Sequence, residues 1–356
     1  MSFPIPAPLQ RSIDKTKVEY ASLGSSGLRV SVPIIGGMTL GSSKWEKWAL
    51  DEAASLSILK AAYDVGINTW DTANAYSNGE SERVMGKALK EFNIPREKVV
   101  IMTKVWGYLG EDLSINGFMF GQQMAQTKTY VNQGGLSRAA IFNAVSASLA
   151  RLDTPYIDVL QVHRVDPTTP IEETMKAFHD LVSTGKVRYI GASSMYATQF
   201  ARMQFVAERN GWTKFVSMQN LYHLCYREEE REMIRFCNET GVGIIPWSPL
   251  NGGQLARPLK TADSVRAKTP SVMTPKLTEA DEEIVRRVEK VSKDKGWSMS
   301  QVALTWLRSK GTIPIVGLNS LAKIEDVCDL KGKSLTGEEV TYLEEPYIPK
   351  QIQGHW

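Results

Sequence analysis

Short apolar runs and amphipathic stretches alternate along most of this chain, and the period of each tells strand from helix. Residues 18–22 and 28–32 flank Gly24-Ser25-Ser26-Gly27, and permissive glycines at a tight turn predict a β-hairpin there. The run 34–40 reads as a buried strand opening into a glycine-rich loop, and 49–64 as the helix after it. From there the order repeats: strand 65–71, helix 80–92, strand 99–104, helix 137–151, strand 157–163, helix 171–184, strand 187–193, helix 198–210, strand 215–219, helix 228–240, strand 242–247, helix 299–310 and strand 313–316. Punctuation agrees with periodicity, since Gly185 and Gly241 stand where helices should stop and Ser298-x-x-Gln301 has the spacing of a capping box. About eight strands alternating with helices, and no Pro/Ser/Gly-rich linker between them, predict one α/β domain over residues 1–356. It is a (β/α)8 TIM barrel with the N-terminal β-hairpin plugging one end and, on the strength of Pro4, Pro6 and Pro8, an extended arm over residues 1–17.

At 356 residues, length alone admits one large barrel or two ordinary domains, so the alternation decides. Apolar residues make up 42% and charged residues 23%, and no apolar run approaches the roughly 18 residues that a membrane helix needs. The start has no basic region leading into an apolar core, so a secretory signal is not expected and a cytoplasmic location is. Cys225, Cys237 and Cys328 are odd in number and far apart, which argues against a disulfide framework, and His223-x-Cys225 lacks the paired spacing of a zinc site, so no metal is expected. The net charge of +3 is spread without a basic run, and neither nucleic acid nor membrane is an expected partner.

Three successive strands finish on ionisable side chains: one ends at Asp71 and runs into a turn carrying Tyr76, the next ends on Lys104, and the third on His163. Singly, the aspartate is an ordinary turn former, the lysine a strand-end charge and the histidine a hydrogen-bonded core residue. A parallel barrel, however, gathers functional groups at the carboxyl ends of its strands, so the four converge. No strand-to-helix turn carries Gly-x-Gly-x-x-Gly, and a Rossmann site is not indicated.

Asp71 with Tyr76, then Lys104, then His163 resembles the catalytic tetrad of the aldo-keto reductases, in the fungal or aryl-alcohol-dehydrogenase-like branch related to potassium-channel β subunits. The resemblance implies NADPH-dependent reduction of an aldehyde or ketone to an alcohol. A carbonyl accepting hydride needs a proton as charge develops on its oxygen, and Tyr76 suits the donor. The Lys104 ammonium would draw the phenol down from its usual pKa near 10, Asp71 would pair with Lys104, and His163 would bond the carbonyl oxygen. The hydride must come from a cofactor, NADPH/NADP+ in preference to NADH. By the same resemblance Ser193, Ser194 and Gln219 hold the nicotinamide carboxamide, with Asp71 beside them, and Trp247 stacks on the ring. The loop Ser248-Pro249-Leu250-Asn251-Gly252-Gly253 follows the pyrophosphate, and Gly317, Asn319, Lys323 and Asp326 form the adenosine-phosphate segment, with Lys323 and Arg266 as cations for a 2′-phosphate. Three positions depart from the pattern: Met38-Thr39-Leu40, contributing Thr39, replaces Gly-Thr-Trp, Ser194 replaces the second amide-bearing residue after the fifth strand, and the closing Glu-Asn is Asp326-Val327, which removes an adenine-facing amide.

The connection 107–135 is long for a barrel loop, where about 2–6 residues are usual. Its glycines, interleaved with Phe118, Phe120 and Tyr130, predict a mobile cover over an apolar pocket, since the connection after His163 is too short to build one. Trp106 at its root, Trp45 from the first loop and His163 are the expected contacts for a bulky or aromatic small-molecule carbonyl substrate. Two alternatives stand beside this reading: an aryl-alcohol dehydrogenase working in the oxidative direction, and a slow redox-sensing module that binds cofactor and a partner protein. The chain is expected as monomer or homodimer.

Overall fold

The computed structural model describes residues 3–259 and 276–355. After a hairpin of β1 (Glu19–Ser22) and β2 (Arg29–Val32) come eight parallel strands: β3 (Ile34–Gly36), β4 (Thr69–Asp71), β5 (Val100–Val105), β6 (Ile157–Val162), β7 (Val187–Ser193), β8 (Ser217–Gln219), β9 (Gly243–Ile244) and β10 (Ile315–Val316). They pair in chain order, with β10 returning beside β3. The Ile313 N–H donates to Ile244 O at 2.9 Å and the Ile315 N–H to Pro246 O at 3.0 Å, so the two ends of the sheet meet and the barrel closes. This is the expected (β/α)8 architecture.

Two apolar layers follow from the two faces of these strands. Outward residues such as Trp70, Ile101, Leu160, Ile190 and Met218 join the ring of helices in one large core. Inward residues at the amino end, including Ile34, Met102, Val159 and Ile245, form a smaller cluster with Leu23, Val30 and Val32 of the hairpin, which thereby plugs that end. Above this plug the inward positions turn polar. Gly191 makes room for the change, because a Cβ there would lie 2.4 Å from Ser217 Oγ and 3.2 Å from Gln161 Cγ.

Several elements are shorter than the apolar runs suggested. The run 34–40 leaves the sheet after Gly36 and becomes a 3-10 turn, Gly37–Thr39, whose Gly37 carbonyl accepts from Ser81 Oγ at 2.8 Å. The segment 228–240 divides into a turn, Glu228–Glu230, and a helix, Met233–Thr240, because the three glutamates are drawn to Tyr347, Asn220 and Tyr222 rather than left along one helix face. The extended arm over residues 1–17 is a correction: Ala7–Lys15 is helical, with Pro8 in the first turn, where a missing N–H leaves no bond unmade. The helix Glu279–Lys295, absent from the sequence reading, begins at a Thr278/Asp281 capping box that the rule for helix starts would have found.

Replacing Gly191 by valine should overpack the barrel interior and lower unfolding free energy by about 1–3 kcal/mol. Urea denaturation measures it, and a wild-type midpoint would show that the contact with Ser217 and Gln161 is loose.

Candidate active site

Alternation along the strands decides which side chains reach the barrel axis. On β5, Met102 and Lys104 point inward while Thr103 turns outward to donate to Glu82 Oε1 at 2.6 Å. On β6 the inward set is Val159, Gln161 and, one step past the strand, His163; on β4 it is Thr69 and Asp71; on β8, Ser217 and Gln219. A layer of apolar side chains therefore carries a layer of hydrogen-bonding ones at the carboxyl end.

Lys104 is fully buried, and its Nζ donates to Asp71 Oδ2 at 2.6 Å and to Thr72 O at 2.8 Å. The other Asp71 oxygen accepts from Gln161 Nε2 and Gln219 Nε2, each at 2.9 Å. Tyr76, in the turn after β4, brings its Oη to 3.5 Å from Lys104 Nζ. The imidazole of His163 meets the Tyr76 ring edge-on at a centroid distance of 5.7 Å.

The expected fall in the Tyr76 pKa is corrected by the geometry. Burial raises it above the usual 10, and the opposing charge of Lys104 only partly offsets this. The phenol therefore keeps its proton at neutral pH. Burial also holds His163 well below 6.5, reinforced by Arg164 and Lys104, so its imidazole is neutral. Its Nδ1 is buried without a hydrogen-bond partner among the described residues.

A cavity of about 560 Å3 opens above this layer. Thr39, Asp71, Tyr76, His163, Ser193, Gln219, Trp247, Ser248, Pro249, Leu250, Gly252, Gly317, Asn319, Lys323 and Asp326 all line it. Lys104 and Ser194 stand behind the wall, Ser194 accepting from the Trp247 indole N–H at 3.1 Å and so fixing that ring. Arg266 lies outside the described residues. Neither tryptophan expected at the substrate lines the cavity: Trp106 packs against the outer core, and Trp45 sits beneath Trp48, edge-on at 6.1 Å. Trp48 and Phe118 hold the wall positions instead. The long connection is less open than its composition suggested, because Asn116 caps a helix, Gly117–Met124, that carries Phe118 to within 5.4 Å of the His163 ring centroid. Arg164 and Arg257 are further wall residues that the sequence reading missed; each adjoins a residue or loop already singled out.

The sequence pattern of the Aldo/keto reductase family matches residues 34–348. The chain belongs to the aldo/keto reductase family. An aldo-keto reductase of Fusarium vanettenii is 54% identical over 99% of this chain and 97% of its own length. The versiconal hemiacetal acetate reductase of Aspergillus parasiticus is 49% identical over 94% of this chain and 98% of its own. A Saccharomyces cerevisiae protein named as an aryl-alcohol dehydrogenase is 45% identical over 94% and 98% respectively. This aldo-keto reductase is therefore an NAD(P)H-dependent oxidoreductase of small carbonyl compounds. Among its described residues no helix is long and apolar enough to cross a membrane.

The cavity of the reductase fits such a cofactor in its donor chemistry. Ser248, Gly252 and Gly253 line it with positive φ, and the two glycines, without side chains, let a phosphate approach the backbone of this loop closely. Arg257 and Lys323 add positive charge to the same wall. Lowering the pH from 7.5 to 5.5 should leave the His163 ring nitrogens in the neutral pattern in 15N NMR, because its pKa is depressed and protonation is deferred to lower pH. An imidazolium spectrum appearing near pH 6.5 would contradict its burial.

Proposed function

We propose that this protein is an NADPH-dependent reductase of aldehydes and ketones in which Tyr76 is the general acid, and that it works in the cytoplasm. The observation that carries the reading is the 3.5 Å approach of Lys104 Nζ to Tyr76 Oη, with the lysine held by Asp71. When bound, NADPH supplies the hydride. Tyr76 holds a proton at Oη and gives it to the carbonyl oxygen as negative charge develops there. Lys104 stabilises the phenolate left behind, and does so more strongly as the phenol loses its proton, because the pair is shielded from water. Asp71 keeps the ammonium aimed, and neutral His163 orients the carbonyl oxygen by hydrogen bonding.

Ser193 and Gln219 would hold the nicotinamide amide and Trp247 would lie on its ring. Gln219 spends its N–H2 on Asp71 and on Gln161 Oε1, which leaves its carbonyl oxygen for a donor from the cofactor. The loop 248–253 would take the pyrophosphate, and Lys323, with Arg257 on the same cavity wall, would meet the 2′-phosphate. Substrate contacts pass from Trp45 and Trp106 to Trp48 and Phe118, beside His163. The reductive direction is favoured here by the protonated state of Tyr76, although microscopic reversibility allows alcohol oxidation through the same groups.

Tyr76→Phe should lower kcat for aldehyde reduction by about 10²–10⁴-fold while NADPH still binds, as read by absorbance at the nicotinamide band and by cofactor fluorescence. Activity near wild type would remove Tyr76 from its role. Lys323→Ala should reduce the preference for NADPH over NADH in kcat/KM by about tenfold to hundredfold, the worth of a charge-assisted phosphate contact. An unchanged ratio would leave Lys323 as a solvated helix lysine bonded to Asn319.

A further inference from the structure

Arg164 follows His163 at the carboxyl end of β6 and forms part of the cavity wall. It is half-buried, and its one hydrogen bond among the described residues runs from Nη1 to the carbonyl oxygen of His163 at 2.6 Å. No ion pair within the described residues includes it, and the carboxylates of Asp166 and Asp71 are engaged by other groups. Asp166, two positions on, is engaged by the Leu136 and Thr168 N–H groups and by the hydroxyls of Thr168 and Thr169. Asp71 is engaged by Lys104, Gln161 and Gln219. Lys104, behind the cavity wall, has its counter-ion in Asp71; among the described residues Arg164 has none.

A partly buried guanidinium without a counter-ion is costly, and among the described residues most of its N–H fork has no acceptor. Burial accordingly pulls its pKa down to about 10. A fork of this kind matches a planar carboxylate, which it binds through two parallel bonds where a lysine would offer a point charge. The same cavity wall carries Phe118, against the His163 ring, with Trp48 and Met38, so the body that delivers such a carboxylate would itself be aromatic. Tyr76 and His163 feel the charge of Arg164, which puts it within reach of a group on the molecule being reduced.

We propose that Arg164 binds a carboxylate on the substrate, so that the preferred substrates are aromatic carbonyl compounds carrying a carboxylate near the reacting carbonyl. This rests on the reductase reading above. The competing role for Arg164 is a charge that acts only through Tyr76, and the two roles differ in which substrates they affect.

The test follows NADPH oxidation with 2-, 3- and 4-carboxybenzaldehyde and with the methyl ester of each, using wild type, Arg164→Gln and Arg164→Lys. An ester withdraws more electron density from the aldehyde than a carboxylate does, so a preference for an acid reports binding and not intrinsic reactivity. Wild type should favour at least one acid over its ester by about tenfold to hundredfold in kcat/KM, expressed in KM. Arg164→Gln should bring that ratio near unity, and Arg164→Lys should restore only part of it. Esters turned over as well as acids by wild type at every ring position would overturn the proposal without any variant. So would an Arg164→Gln enzyme that loses acid and ester activity by one common factor, since that is the signature of a charge acting on Tyr76. Titration with benzoate and benzamide, read by quenching of tryptophan fluorescence from Trp48 and Trp247, measures the same contact without turnover. Benzoate should bind more tightly than benzamide, and Arg164→Gln should erase the difference; equal binding by wild type refutes the carboxylate contact. If no aldehyde oxidised NADPH, the reductase reading would fail, and the benzoate titration would still decide the role of Arg164.

Discussion

A lysine and an aspartate removed from water inside a barrel set the terms for everything around them. Each such ion forfeits several kcal/mol of hydration, and their mutual attraction repays it only when the remaining lone pairs and protons are also satisfied. Here Lys104 and Asp71 meet at 2.6 Å, Thr72 O takes another lysine proton, and two glutamine amides complete the aspartate. Those glutamines come from β6, two strands round the ring from β4, and from β8, opposite it, and both reach Asp71 through the barrel interior. Gly191 on β7 lies between them and contributes no side chain, which lets Gln161 and Gln219 meet at 2.9 Å. The polar layer thus needs a closed barrel, and a strand out of register would leave a charge buried and unpaired, which costs more than the loss of any single apolar contact.

The same enclosure governs the two neutral groups beside the pair. Without burial, a phenol near an ammonium would tend to ionise and an imidazole would titrate near neutral pH. In the closed site desolvation opposes both, keeping the proton on Tyr76 and off His163. A neutral acid next to a fixed ammonium is a productive starting state for donating a proton, because the stabilising charge is already in place when the phenolate forms. It also leaves Arg164, on the cavity wall, without an ion-pair partner among the described residues, and the proposed preference for an anionic substrate rests on that asymmetry.

The barrel and the strand-end residues were legible in the sequence for one reason: period-two alternation and the glycine and capping signals are local. Asp71, Lys104 and His163 each end a run whose inward face can be counted along the strand, and the structure brings them together with Tyr76 where that counting puts them. Burial is not local. The sign of the Tyr76 shift depends on how much water the surrounding helices exclude, and charge proximity alone gave the wrong direction. The tryptophans were hard to place for a related reason: Trp45 and Trp48 are three residues apart in one loop, and only the fold of that loop decides which lines the cavity. Helix formation over Ala7–Lys15 was hidden by prolines that signal extension in general but are tolerated in a first turn.

What remains to the loops is discrimination. The strand-end layer cannot vary freely, since altering Gln161, Gly191 or Gln219 disturbs the support of a buried charge. Phe118 and Trp48 carry no such burden. One rides on a short helix, Gly117–Met124, and the other on a loop closed by backbone bonds between Leu50 and both Thr39 and Gly41. Either can change in size without breaking a hydrogen bond of the polar layer. Arg164 stands between the two regimes, tied to the strand end through the His163 carbonyl yet part of the cavity wall. A residue so placed can alter which carbonyl compounds are held without altering how the proton is delivered, and it is at such positions that a common chemistry acquires a particular substrate.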